Sequence, residues 1–322
     1  MKHKLFGTQT GLPASRLILG AASFGERAGY GSAADEIPKI LKAFADAGGN
    51  FIDVADRYQL GEAEEIVGKF IGSQRPNYII CTKYTRSNEV SPLSGNMGNH
   101  RKAMRQAVEA SLKRLNTDYI DIYMPHFDDG MTPIEEISRG LEDLVKAGKV
   151  LYTGLANFPA WKVAAIAGMI PLAALQIEYN LMQRGADREL MTVAGHFGLG
   201  TMLYSPLAGG LPTGKYRKGM AGRLTHSSPG GYLEDAATKT IIDHLELIAE
   251  NIGATPGQVA MAWTLTKNAF PIVGARTLAH LEDSFKALEI SLSADHIGCL
   301  EKISNITMGY PYDLLQTVQK TF

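Results

Sequence analysis

Four residues in this sequence carry side chains suited to a proton relay, each at or just beyond an apolar run. Asp53 lies in FIDVA (51–55), and Tyr58 follows five residues later in a glycine-containing loop. Lys83 ends YIICTK (78–83), and His126 ends IDIYMPH (120–126). A phenol has a reference pKa of about 10, too high to give and take protons readily near neutrality. A neighbouring ammonium favours the phenolate and lowers that value, a part open to Lys83. A buried lysine needs a counter-charge, which Asp53 can supply. His126 can hydrogen-bond an incoming oxygen and orient it. Together the four read as a proton donor aimed at a carbonyl. They contain no source of hydride or electrons, so a cofactor must bring one.

The elements that must position them alternate. Strand candidates are LILGAASF (17–24), FIDVA (51–55), YIICTK (78–83), IDIYMPH (120–126), VLYTGLAN (150–157), ALQIEYN (174–180), GTMLYSP (200–206) and FPIVGA (270–275). They are short and apolar, as strands covered on both faces should be. Helical stretches lie between them. ADEIPKILKAFADAGG stops at Gly48-Gly49, NHRKAMRQAVEASLKRLN opens on Asn99 as N-cap, and TPIEEISRGLEDLVKAGK begins Thr-Pro with acids in its first turn. About eight strand–helix units in one domain spanning 1–322 predict a (β/α)8 TIM barrel, with an open doubly wound sheet as the alternative. KHKLFGTQTGLPASRL reads as an N-terminal hairpin, and the tail from Asn305 lies beyond any barrel unit. Trp161 and Trp263 fall in helical stretches and read as packing residues.

The chain has 322 residues, 45% hydrophobic and 20% charged, with a formal net charge of -1. That balance argues against nucleic acid or an anionic membrane as partner and leaves a small molecule. Cys81 and Cys299 form no CxxC or zinc spacing. No apolar run reaches the ~20 residues a membrane helix needs. A cytoplasmic protein is expected, of open oligomeric state.

Barrel phosphate sites often use the loops after strands seven and eight. Here these are YSPLAGGLPTGKY (204–216), rich in glycine and carrying Lys215, and VGARTLAHLEDS (273–284), which sets Arg276 just before a helix start. A guanidinium and a helix N-terminus can hold a phosphate together. GGLPTGK has Walker A spacing, but Tyr216 stands where the magnesium-binding Ser or Thr belongs, so a P-loop is rejected. His126 beside Asp128 and Asp129 has no second histidine at ligand spacing, and no metal is expected.

DVADRYQLGEAEEIVG contains a D-x-A-x-x-Y segment followed by G-x-x-E. TKY, IDIYMPH, LVKAGKV, GLANF, LQIEYN, YSPLAGGLPTGKY and IVGART follow in order. In this the chain resembles the aldo-keto reductases over nearly its whole length, and GNHRKAM and DGMTPIEE with FPAWKV resemble the branch related to aryl-alcohol dehydrogenases. The resemblance implies a barrel that binds NADPH without a Rossmann domain and reduces an aldehyde or ketone. It makes Tyr58 the acid/base, Lys83 its partner, Asp53 the lysine's counter-ion and His126 the carbonyl orienter. It gives Asn157 and Gln176 to the nicotinamide carboxamide and Tyr204 to the ring. Ser205, Leu207 and Gly209 go to the pyrophosphate, with Lys215 and Gly274 in the same two loops, and Arg276 to the 2′-phosphate. Where the family often has Ser before the asparagine of GLANF, this chain has Ala156. Near the adenine it has His280, Asp283 and Ser284 where Gln, Glu and Asn are common. Two rival classes share the barrel: a dinucleotide-sensing regulatory subunit, and an aldolase using Lys83 as a Schiff base. Specificity is expected from loops 84–100 and 217–234 and the tail 306–322, with Met97, Phe127, Met131 and Tyr310 as wall residues.

Overall fold

The computed structural model describes residues 1–227 and 234–319, which divide into two compact units. The end of loop 217–234 (228–233) and the last residues of the tail (320–322) lie outside the described residues. The first unit comprises residues 1–177, 193–204 and 268–285. It opens with an antiparallel hairpin, β1 (His3–Leu5) and β2 (Pro13–Ser15). Eight parallel strands follow: β3 (Ile18–Gly20), β4 (Phe51–Asp53), β5 (Ile79–Tyr84), β6 (Ile120–Pro125), β7 (Val150–Ala156), β8 (Ala174–Glu178), β9 (Gly200–Tyr204) and β10 (Phe270–Gly274). They form a closed barrel in the order β10-β3-β4-β5-β6-β7-β8-β9, so the (β/α)8 expectation holds and the open sheet is excluded. Every residue of β4, β5 and β6 is buried, because barrel strands are covered by core on one face and helices on the other.

Inside the barrel the layers sort by polarity. Phe6, Ile18, Phe51, Ile79, Ile122, Met202 and Phe270 belong to one apolar cluster. Phe6 stacks edge-on against Phe51 at 5.3 Å and lies 5.0 Å from Phe270, so the hairpin plugs the barrel floor. Gly200 makes room for that ring, since a Cβ there would lie 2.5 Å from it. The polar residues collect at the opposite ends of the strands.

Helices α1 (Glu36–Asp46), α2 (Glu62–Ile71), α3 (Arg101–Leu115), α4 (Ile134–Lys146) and α5 (Ala160–Ala167) follow β3 to β7 in turn. In α1, Ile37, Ile40, Leu41 and Phe44 are buried at the three- and four-residue spacing of one helical face. Helix α3 departs from expectation at its start. His100, not Asn99, is the N-cap, its Nδ1 accepting from the Ala103 N–H at 3.2 Å. Trp161 also departs: it is 62% exposed, because α5 turns Val163 and Ile166 inward instead.

Chain order continues with α6 (Leu190–His196), α7 (Arg223–Ser227), α8 (Ala236–Ile252), α9 (Pro256–Thr266), α10 (Leu278–Lys286), α11 (Ala294–Ile303) and α12 (Tyr312–Gln319). The second unit comprises residues 178–192, 205–267 and 286–322. Its start signals are explicit. Asp235 caps α8, and Thr255 with Gln258 forms a capping box ahead of Pro256 on α9. Trp263 is fully buried, as expected, and stacks on Tyr179 at 5.7 Å. Arg184 lies 5.0 Å from the Trp263 ring and pairs with Asp187 at 2.6 Å and Glu301 at 2.7 Å.

Candidate active site

Strand register sets the relay. Asp53, the last residue of β4, lies between Gly20 of β3 and Cys81 of β5, two residues before Lys83. Gly20 leaves space, since a Cβ there would sit 2.8 Å from Ile272. Lys83 Nζ meets Asp53 Oδ1 at 2.7 Å, with side-chain exposures of 0% and 3%. The ammonium also donates to the Val54 carbonyl at 2.8 Å, and Gln176 Nε2 donates to the same Asp53 oxygen at 2.7 Å. Tyr58 lies over this pair, its ring centroid 5.0 Å from Lys83 Nζ. His126 sits edge-on to Tyr58 at 5.7 Å. The structure therefore brings all four sequence-derived residues together. His126 and Tyr58 are carried by the loops just beyond their strands, where the side chains have freedom to converge.

The electrostatics follow from depth. Burial lowers Lys83, but the charge of Asp53 beside it, joined by Tyr58 and Cys81 only where those groups ionise, outweighs burial and holds the lysine above its ordinary value. For Tyr58 the balance runs against the sequence expectation. Lys83 pulls the phenol down as anticipated, but burial raises it more, so the net shift is upward and the group stays protonated. Burial, then the charges of Lys83 and Arg86, push the His126 imidazole down to about 2. A neutral ring keeps one N–H to donate and one nitrogen to accept. Its Nδ1 is buried with no partner among the described residues. The backbone fixes this ring: the His126 N–H donates to the Tyr84 carbonyl at 2.8 Å and to Thr85 Oγ1 at 3.1 Å.

A proton donor, its charged support and a neutral imidazole, grouped at one end of a closed barrel, fit carbonyl chemistry. Residues 16–305 match the model of the aldo/keto reductase family. The chain belongs to the aldo/keto reductase family. The aldo-keto reductase is thus an oxidoreductase of a family named for reaction at aldehyde and ketone carbonyls. It is 34% identical to an NADP(+) aryl-alcohol dehydrogenase of Phanerodontia chrysosporium over 97% of this chain and 88% of that one. It is 33% identical to a putative aryl-alcohol dehydrogenase of Saccharomyces cerevisiae (97% and 89%) and 30% identical to a norsolorinic acid reductase of Aspergillus flavus (97% and 84%).

The reductase's expected cofactor residues fall on both units. In the first, Asn157 follows β7 with a left-handed φ of 56°. Its Nδ2 donates to the His126 carbonyl at 3.0 Å and its Oδ1 accepts from the Tyr204 hydroxyl at 2.9 Å. One N–H and one lone pair remain, the complement of a carboxamide. Gln176 is buried, with its amide nitrogen engaged by Asp53. Gly274 is exposed at the end of β10, and a Cβ there would meet nothing within 4 Å, so open space lies beside it. Arg276 donates to the Gly31 carbonyl at 3.0 Å and the Tyr30 hydroxyl at 2.8 Å and lies 4.2 Å from the Tyr30 ring, and among the described residues no carboxylate pairs with it. This donor set fits a carboxamide and a phosphate dianion. The helix start beside it differs from expectation: the Leu278 N–H already donates to Glu36 at 2.8 Å, so an acid occupies that end of α10. His280 is exposed and Ser284 Oγ donates back to the His280 carbonyl at 3.0 Å.

In the second unit, Ser205, Ala208, Gly209 and Gly210 all have positive φ, at 53°, 42°, 69° and 98°. Turns of this kind can gather backbone N–H groups into a concavity suited to anions. Leu207 lies within this turn, and Lys215 Nζ sits 5.0 Å from the Tyr216 ring. Of the expected wall residues, Met97 and Met131 are exposed and Phe127 stacks on His126 at 4.4 Å, all in the first unit. Tyr310, in the second, is 87% exposed.

Sequence reasoning missed three buried polar residues. Asn99 is fully buried and latches loops together: its Nδ2 donates to the Phe127 carbonyl at 2.8 Å, and Thr85 Oγ1 donates to its Oδ1 at 2.7 Å. Asp56 and Glu64 are buried behind β5. Nothing in ADRYQL or GEAEEI distinguishes them from surface acids.

Proposed function

We propose that this protein reduces an aldehyde or ketone to the alcohol with NADPH, and runs the reverse reaction when the alcohol is in excess. The observation that carries the reading is the buried 2.7 Å Lys83–Asp53 pair beneath the Tyr58 ring, with His126 at its edge. Bound NADPH supplies the hydride that the side chains lack. Asn157 and Gln176 are the residues to hold its carboxamide, Tyr204 its ring, Gly274 and Arg276 its phosphates. On the second unit Ser205, Leu207, Gly209 and Lys215 suit the pyrophosphate. His126, neutral, donates its N–H to the carbonyl oxygen and orients it. Tyr58 passes its hydroxyl proton to that oxygen. Lys83 stabilises the phenolate left behind, and Asp53 keeps Lys83 charged while it does so. A protonated Tyr58 is the form the reduction needs, and burial maintains it.

On the first unit, Met97, Phe127 and Met131 are the residues to border a small carbonyl substrate. We read the chain as one barrel domain acting in the cytoplasm, in keeping with the free thiols of Cys81 and Cys299. Among the described residues no helix is long and apolar enough to cross a membrane. The test is NADPH consumption with an activated aromatic aldehyde, comparing wild type with Tyr58→Phe. Loss of one general acid should lower kcat by about 10²–10⁴-fold. Equal turnover by the two proteins overturns the assignment.

A further inference from the structure

Behind Lys83, on the helix-facing side of β5, lies a group of ionisable side chains with no part in the steps above. Glu64 of α2 is fully buried, accepting from Thr82 Oγ1 at 2.6 Å and from Arg114 Nε of α3 at 2.7 Å. One carboxylate and one guanidinium already balance. Asp56, only 2% exposed, is then a second carboxyl in the same pocket with no cation of its own. Its Oδ1 has no hydrogen-bond partner among the described residues. Among the described residues, the hydroxyls of Tyr84 on β5 and Tyr123 on β6, whose rings stack at 5.2 Å, are equally without partners. An ionised Asp56 would leave a buried charge unpaired, which costs far more than burying the neutral acid.

Its position gives this carboxyl leverage. The Asp56 N–H donates to the Lys83 carbonyl at 3.0 Å, tying β5 to the turn that carries Tyr58. That turn is strained: Gln59 and Leu60 hold left-handed φ values of 49° and 56°, rare for residues with a Cβ. Gln59 pins its far side by donating to the Ala22 and Tyr30 carbonyls at 3.3 Å and 2.9 Å. Asp56 is the near anchor.

We propose that Asp56 is a positioning residue held as an uncharged carboxylic acid, which keeps the Tyr58 turn seated against Lys83 and releases it on ionisation. This rests on the assignment of Tyr58 as proton donor. The charged and titratable groups facing Asp56 are Glu64 from α2, Lys83 from β5, Arg114 from α3 and Tyr123 from β6, with the Arg57 backbone amide beside it on its own turn. Burial first, then Glu64, raise Asp56 to about 7, against the opposing pull of Arg114, the Arg57 amide and Lys83. Losing the proton adds a negative charge that competes with the nascent Tyr58 phenolate for Lys83 and repels Glu64 at close quarters.

Two measurements test it. Infrared difference spectra between acidic and mildly alkaline pH should show a buried protonated-carboxyl C=O band that wild type loses near pH 7 and that Asp56→Asn lacks. This readout needs no turnover. With NADPH and the aromatic aldehyde, wild-type kcat/KM should fall by up to about tenfold per pH unit above that inflection. Asp56→Asn, neutral at every pH and similar in shape, should lose the inflection. Glu64→Gln, which removes the like charge, should move it to lower pH. A wild-type spectrum without the band, or an Asp56→Asn profile with the same inflection, overturns the proposal. The band present in a protein that does not turn over with carbonyls upholds the neutral acid and refutes the reductase assignment instead.

Discussion

Replacing Asp53 by Asn keeps the shape of the site and removes the counter-charge of Lys83. The lysine side chain has no exposed surface, so its ammonium would be left with the Val54 carbonyl at 2.8 Å and no anion. Breaking a buried pair in this way costs about 3–5 kcal/mol. The pH dependence identifies the mechanism. In wild type the folded-state value of Lys83 is raised above 10.5, so its stabilisation is fully present below that value and is lost only as pH rises through the folded one. Stability is therefore flat in this group across neutral pH. Without Asp53, burial becomes the dominant influence and lowers the folded value below the unfolded one. The unfolded chain then binds more protons, and the variant's stability climbs with pH. Urea midpoints for wild type, Asp53→Asn, Lys83→Met and the double variant, between about pH 6 and pH 9, measure both effects. The single variant should lose about 3–5 kcal/mol at the acid end and less at the alkaline end. The double variant should recover part of it, with a coupling of at least about 1.5 kcal/mol. Additive single effects and a deficit that ignores pH would refute the buried-pair account.

Two further outcomes follow from the same geometry. Arg276→Ala removes a guanidinium fork with no carboxylate partner among the described residues. It should weaken NADPH by about 10- to 100-fold, the worth of one charged hydrogen bond, and leave NADH almost untouched; equal losses for both, by fluorescence titration, would place the 2′-phosphate elsewhere. His126, depressed from 6.5 to about 2, contributes stability that is complete above the unfolded value and is lost as pH falls through the folded one. His126→Gln should therefore show a shallower loss of urea midpoint between about pH 6 and pH 4, and an unchanged slope would mean the ring is not desolvated.

The barrel and the relay were legible because they are written in periodicity and in strand-end chemistry. Asp53, Lys83 and the loop residue Tyr58 interrupt apolar runs that nothing else would interrupt. Strand ends were less legible: Asn157 looks like the last residue of an apolar strand, yet its left-handed φ of 56° takes it off the sheet. Asn99 has the right type for an N-cap, but its amide is engaged by the Phe127 carbonyl and His100 caps in its place. AWKVAAIA is apolar almost all round, so the outward face of Trp161 carries no signature. The sign of the Tyr58 shift was out of reach for another reason. Pairing with Lys83 can be inferred from residue types, but the opposing burial depends on how the loops close over the ring. The same holds for Asp56 and Glu64, whose depth is a property of packing between β5, α2 and α3.

The order in which the barrel strands leave the ribosome bears on how the protein matures. The first unit is interrupted in sequence: residues 205–267 of the second unit come between β9 and β10. Phe6 is made almost at once, but Phe270, which it packs against, follows 264 residues later. At roughly 5–20 residues per second, that is on the order of ten to fifty seconds. Until β10 is made, β3 presents an open edge, β9 presents another once residue 204 is out, and the hairpin has no finished floor to seal. Unpaired edges of this kind invite pairing with other chains. The period of greatest aggregation risk is thus translation itself, and it ends with the single strand that closes both the sheet and its base.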